Sequence, residues 1–414
     1  MSKKQIGRSD LESIVRGACF MASSGGGTYS SGMNIAENFV VGDFYKSNVI
    51  DVIDVEDLND TEYAVMVGYI GSPESMGTVY YPKGIVNAVK ALEKEKKVRI
   101  SYILPPEIGA ISTTAACTAA AALELPVVNC DGAGRAVPEL SMTVFSLYQE
   151  NVNPVLLASE EHDHVCLSIS NGEASDASST IESLVRPILS LPSFNQKAGL
   201  AMWVLEGKEV KKIIKSKESV TNCIELGQYI EARDKKKLFA KVKKMKYFLV
   251  DCISGKNIKI QSSVGGGFDT GLLNFIADKK REINVLFKNE SLLAWDSQAS
   301  NPLLTAPNLI SYLIEFPPEA KDPVFLQWTY SNGDLQDINT KYPDMLAKAD
   351  IMLVLIGASK SVMGMESELH SKRLNQLAAI SNAHSNDTSN LQQSYQNVLR
   401  EIGYYGCIKY YTKI

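Results

Sequence analysis

Between residues 63 and 158 short apolar segments alternate with amphipathic stretches of helical length, and few folds accommodate that pattern. Ala64–Ile70, Val98–Leu104, Pro126–Cys130 and Val155–Ala158 are apolar almost throughout, as strands covered on both faces must be. Helices are expected between them, over Gly84–Glu95, Thr113–Leu123 and near Glu139–Tyr148. Strand–helix–strand alternation implies right-handed crossovers and a parallel sheet. Ahead of it, Ser9-Asp10-Leu11-Glu12 has capping-box spacing, and Leu11, Ile14, Val15, Ala18 and Cys19 recur at helical intervals. That helix is expected to close at Ser23-Ser24-Gly25-Gly26-Gly27.

The second half reads differently. Residues 180–232 are mainly helical around one strand, Gly199–Leu205, and a lysine-rich helix follows over Lys235–Lys246. Then come short apolar segments separated by turns: Phe248–Ile253, Ile258–Ser262, Leu272–Ala277, Asn284–Phe287, Ser291–Ala294 and Asn308–Leu313. Such spacing predicts a small barrel or sandwich. At 414 residues the chain exceeds one ordinary core. The expected architecture is an N-terminal parallel-sheet α/β domain (1–245) joined to a β-rich, barrel- or sandwich-like domain (246–345). A terminal stretch (346–414) would add the buried strand Ile351–Ile356, a polar excursion over 358–398 and a closing strand returning to the core.

Charge and cysteine usage narrow the function classes. A formal net charge of −5 argues against nucleic acid or an anionic membrane as partner. The lysine run 235–246 lacks the aromatic interleaving of a nucleic-acid surface. Seven cysteines stand singly, as reduced thiols in a cytoplasm would. The longest apolar run, Ile351–Gly357, is far short of a membrane span, and the N-terminus has no apolar leader core. A cytoplasmic protein with a small-molecule substrate is expected, with self-association through β edges open.

In parallel sheets ligands bind beyond the carboxyl ends of the strands, where helix N-termini converge. Four successive strand ends here carry acids: Glu74, then Glu107, then Asp131 with Arg135 and Glu139, then Glu160-Glu161-His162-Asp163-His164. Together they could hold a cation or act as acids and bases. Each has a structural alternative. Glu107 could complement a helix dipole, Asp131-Gly132 could be a turn pair, and Arg135 could bind a substrate carboxylate or pair with Glu139. His162 and His164 on a strand would share one face, with Cys166 in phase, as zinc ligands; otherwise they belong to a polar hairpin loop. Gly25-Gly26-Gly27 follows a helix rather than preceding one, which weakens a nucleotide-loop reading and suggests close backbone approach to something. Cys117 reads as core filler, and no G-x-S-x-G elbow supports a serine triad.

Several segments resemble the S-methyl-thiohydantoin desulfurase-like family. They are Gly17-Ala18 with Gly25-Gly26-Gly27, Gly71-Ser72-Pro73, Glu107-Ile108-Gly109, and the stretch from Asp131 to Met142, DGAGRAVPELSM. Glu225-Leu226-Gly227, Gly266-Gly267-Phe268, Phe287-Lys288-Asn289-Glu290-Ser291-Leu292, Pro307-Asn308-Leu309-Ile310 and Ile402-Gly403-Tyr404 with Tyr410 extend the likeness nearly end to end. The resemblance implies an α/β domain joined to a β-rich one, and action on hydantoin- or thiohydantoin-like rings. It points to Glu107, Asp131, Arg135 and Glu139 as catalytic residues, with Gly25, Gly26 and Gly27 as pocket wall; Gly71, Gly132 and Gly134, in the strand-end loops, are expected to line the same pocket. The expected chemistry is a metal-dependent hydrolase or desulfurase reaction, with zinc as the divalent metal, acting on a small cyclic amide. A non-catalytic ligand-binding or complex-forming subunit using the same cleft is the alternative.

Overall fold

The computed structural model describes residues 4–71, 73–77, 79–148, 152–169, 174–265, 268–358 and 397–406. They form a mixed α/β structure of two domains, an N-terminal sheet containing parallel strands and a C-terminal antiparallel sheet curled into a half-barrel. Among the described residues no helix is long and apolar enough to cross a membrane.

The first sheet has eight strands in the spatial order Lys4–Ile6, Ile50–Ile53, Val127–Val128, Ile100–Leu104, Tyr63–Gly71, Lys197–Glu206, Val155–Ala158, His164–Leu167. Parallel pairing joins only the four from Ile50–Ile53 to Tyr63–Gly71. Val155–Ala158 was expected to extend the parallel run, but Lys197–Glu206 inserts beside Tyr63–Gly71 and pairs antiparallel with both neighbours. Val155–Ala158 therefore runs in the expected direction but is separated from the parallel set by one antiparallel strand. After Val155–Ala158 the chain turns straight back as a hairpin into His164–Leu167 instead of crossing over. Helix Ala110–Ala122, buried except at Ser112 and Ala122, covers one face, where small alanine side chains let it lie close to the strands and to helix Arg8–Met21. The other face packs on helix Ala174–Leu189, and its own Trp203 stacks on Phe145 of helix Val144–Tyr148.

Two helix expectations shift. Helix Arg8–Met21 begins before Ser9, and its capping contact runs from the Gly7 N–H to Asp10 Oδ2 at 3.0 Å. The expected helix near Glu139–Tyr148 is broken into a 3₁₀ turn, Leu140–Met142, and a short helix, Val144–Tyr148.

In the second sheet Phe248–Ile253 and Ile258–Ser262 fuse into one strand, Tyr247–Gly265, irregular at two points. Asp350–Ala358 lies inside this sheet, between Tyr247–Gly265 and Leu309–Glu315, so the strand expected from Ile351–Ile356 is part of the half-barrel core. Residues 359–396 and Tyr410, where the excursion and closing strand were expected, lie outside the described residues. The 397–401 turn packs Val398 and Leu399 into the main core.

Candidate functional site

The turn after helix Arg8–Met21 joins the domains. Ser23, Ser24, Gly26 and Gly27 all have positive φ, at 54°, 64°, 65° and 91°. Serine adopts this region at a cost, and here the half-barrel supplies the compensation. Ser23 Oγ donates to the Ser291 carbonyl at 2.9 Å and accepts from the Ile310 N–H at 3.0 Å. The Ser291 and Asn332 amides close the seam on the Ser23 and Ser24 carbonyls, each at 2.8 Å.

What the three glycines approach is now visible. A methyl group on Gly25 would overlap the Glu290 side chain, on Gly26 the backbone of Gly109, and on Gly27 the Ile111 side chain. The Gly26 carbonyl accepts from the Ile111 N–H at 3.0 Å, so it occupies the amino end of helix Ala110–Ala122. An anion is not what these glycines accommodate. They bring two carboxylates from different domains to one place.

A cleft of about 180 Å³ opens there, lined by both domains. Glu107, in the loop after strand Ile100–Leu104, accepts from the Val137 N–H at 2.6 Å and from the Ser112 hydroxyl at 2.8 Å. Glu290, first residue of strand Glu290–Asp296, is 3% exposed, and its Oε1 accepts from the Gly26 N–H at 3.3 Å. Its Oε2 has no hydrogen-bond partner among the described residues. Burial, and then the negative field of Glu290, push the Glu107 pKa up to about 8. Burial pushes Glu290 up to about 7 against the opposing pull of the Arg135 guanidinium. The charge of Glu290 thus bears on the titration of Glu107, and apparent pKa values of two such coupled carboxyls belong to the pair.

The strand-end candidates separate on inspection. Glu107, Glu139 and glycines 25, 26, 27 and 71 line the cleft. Asp131, Gly132, Gly134 and Arg135 do not; they form the layer behind it. Asp131 is 1% exposed and is spent on local structure, accepting from the Ala133 and Gly134 amides and the Ser216 and Ser219 hydroxyls. Arg135 was expected to hold a substrate carboxylate. Instead its fully buried guanidinium donates to the carbonyls of Ala136 at 2.7 Å, Asn308 at 2.8 Å and Ser291 at 3.1 Å, bolting the domains together. Glu139 accepts from Lys288 Nζ at 3.0 Å at the edge of the cleft.

The histidine pair also departs from expectation. His162, with φ 77°, lies in the hairpin turn, and the strand begins only at His164, so the two imidazoles do not share a strand face. Both are exposed. Among the described residues no group of three or more His, Cys, Asp or Glu is placed to hold a metal. Glu107 and Glu290 alone would leave a cation dependent on solvent or substrate for the rest of its shell, unlike the nitrogen- and sulfur-rich set zinc prefers. Glu160 accepts from Tyr69 at 2.7 Å, and the Glu74 side chain lies outside the described residues.

Glu290 was missed, together with Asp269, Glu182, Arg186 and Gln336, which also line the cleft. One signal was available. Lys288-Asn289-Glu290 interrupts an otherwise apolar strand pattern, and a buried charge between Phe287 and Leu292 requires a partner or a purpose.

The comparisons with known proteins agree with this architecture. The model described as S-Me-THD-like, N-terminal domain, matches residues 9–168, and that described as S-Me-THD-like, C-terminal domain, matches residues 175–324. The chain is similar to a crystal structure of a protein from Chromobacterium violaceum, with a TM-score of 0.76 and 30% identity over 98% of this chain and 99% of that one. No curated protein matches it.

Proposed function

The chain belongs to the S-Me-THD-like family, and on that premise we propose that it is a hydrolase or desulfurase of a small hydantoin- or thiohydantoin-like ring, worked by Glu107 and Glu290. The observation that carries this reading is the pair itself. Two buried carboxyls from separate domains face one cleft, both raised toward neutrality by burial, and Glu290 Oε2 has no hydrogen-bond partner among the described residues; in this reading the pair shares one proton near neutral pH. An acid and a base of nearly matched pKa at one site suit acid–base catalysis.

For an S-methylated thiohydantoin the steps balance without a redox partner. The ionised carboxylate takes a proton from water as its oxygen bonds to the ring carbon bearing sulfur. The protonated carboxyl gives its proton to the departing sulfur as the C–S bond breaks. The second water proton ends on a ring nitrogen, the products are the hydantoin and methanethiol, and the pair again holds one proton. In this scheme the Val137 amide and Ser112 hydroxyl orient Glu107, and the Gly26 amide orients Glu290.

The test is methanethiol release from a 5-substituted S-methylthiohydantoin by wild type, Glu107→Gln and Glu290→Gln. Turnover lost in both variants supports the assignment. Binding without turnover in the wild type would leave the non-catalytic use of the cleft, and full activity in either variant would remove that residue from the chemistry.

A further inference from the structure

Part of the cleft is built by the half-barrel alone, from Asp269, Asn289, Ser331, Gly333 and Gln336. Asp269 is only 7% exposed, yet its Oδ1 accepts no hydrogen bond among the described residues. The neighbouring Gln336 has its Oε1 engaged by the Ser262 hydroxyl at 3.1 Å, and its side-chain amide acts on Asp269 without closing a hydrogen bond of good geometry to Oδ1. A buried acceptor left open in a cleft wall costs stability unless a ligand completes it. The backbone of Asp269 is already engaged, exchanging hydrogen bonds with Asn289 at 2.7 and 2.8 Å, so the side chain is held in place for another role.

The charges around the cleft point to what that ligand group is. Of the acids lining it, Glu182 is paired with Arg186 at 3.0 Å and Glu139 with Lys288 at 3.0 Å. Lys288 also pairs with Glu401 at 2.6 Å, and Lys288 and Arg186 both lie over the Phe268 ring, 4.1 and 4.2 Å from its centroid. Arg135 is spent on backbone carbonyls. The cations near the cleft therefore have partners, whereas among the described residues neither Asp269 nor the Glu107–Glu290 pair makes an ion pair with a lysine or arginine, Arg135 and Lys288 acting on Glu290 only through their fields. An anionic ligand group would enter a net negative, partly desolvated space, and a cation would relieve it.

We propose that the cleft selects ring substituents ending in an ammonium, a guanidinium or another hydrogen-bond donor, seated on Asp269, and rejects those ending in a carboxylate. This rests on the ring-hydrolysing reading for the substrate's core and adds the class of its side chain. Burial holds Asp269 above its ordinary carboxyl range against the opposing side-chain interaction of Gln336, the nearby charge of Asp337 adds to the rise, and a docked cation would reverse it.

The experiment uses the full chain and three S-methylthiohydantoins of matched length, whose 5-substituents end in methyl, ammonium and carboxylate. Calorimetric affinity and kcat/KM are measured for each. The ammonium compound is expected to exceed the carboxylate compound by about 10-fold or more, a ratio that falls to about 3-fold or less in Asp269→Asn. Equal or better handling of the carboxylate compound, or a ratio unchanged in a folded Asp269→Asn, would overturn the proposal. The wild-type series decides the matter even if that variant fails to fold. Thermal stabilisation by butylammonium but not butyrate, with none of the rings bound, would uphold the subsite while removing the ring assignment.

Discussion

Gly25 and Glu290 lie so close that the space a methyl group would need on Gly25 is filled by the Glu290 side chain. Gly25 itself is not among the residues with positive φ, so the constraint is steric and not conformational. Gly25→Ala is accordingly expected to displace the carboxylate while sparing the fold. A loss of kcat/KM on the order of 10–100-fold should accompany a stability change of about 1–2 kcal/mol. Steady-state kinetics beside urea unfolding separates the two effects, and wild-type kinetics in the variant would show that Glu290 has room to spare.

The shared proton sets the pH profile. One carboxyl must be ionised and the other protonated, so kcat/KM is expected to be bell-shaped, with its maximum between the apparent pKa values of the pair, about 7 and about 8. Glu107→Gln or Glu290→Gln should cost about 10²–10⁴-fold and abolish one limb. A flat profile from pH 5 to 9 in the wild type would rule out this pairing.

The same groups make stability depend on pH. Both acids hold their proton more tightly folded than unfolded, since burial lifts them from 4.5 toward about 8 and about 7. Their contribution is thus complete below pH 4.5 and is lost as pH rises through the folded values. Glu290→Gln mimics the protonated acid permanently. Its amide oxygen can still accept from Gly26, so the variant should gain on wild type as pH rises, by on the order of 1–3 kcal/mol at pH 9. Chemical denaturation at pH 5 and pH 9 measures the difference, which should nearly vanish at the lower pH.

Arg135 is expected to be structural. Arg135→Met leaves the buried carbonyls of Ala136, Asn308 and Ser291 without their donor and should cost on the order of 3–5 kcal/mol. Because that charge also holds Glu290 down, whatever Arg135→Met protein remains folded should show its pH optimum moved upward, whereas Arg135→Lys, which keeps the charge, should shift it less. A carboxylate-binding role would instead appear as a raised KM at unchanged stability.

Exposed His162 and His164 should be dispensable. The double alanine variant is expected to keep wild-type kinetics and melting temperature, within about 0.5 kcal/mol. Elemental analysis of purified protein before and after chelation addresses the metal itself. A stoichiometric metal lost on mutating the histidines would restore them as ligands.

Local information in the chain determined the inventory: which segments are strands and helices, that acids sit at strand ends, and that one run of glycines tolerates close approach. Period, apolarity and turn residues act over a few positions, so they can be read without knowing the partners. The contrast between Glu107 and Asp131 could not be read that way. Both are acids after apolar strands, yet one faces the cleft and the other is consumed by Ser216, Ser219 and two backbone amides. Likewise Arg135 and Arg186 are chemically alike, and only the packing shows that the first is fastened to the half-barrel's backbone while the second lines the cleft. Glu290 reaches Glu107 only because the two domains dock through the turn at Ser23–Gly27. Desolvation of both carboxyls and the field of Glu290 on Glu107 depend on what surrounds each group in space, and that environment exists only once the domains have closed on one another.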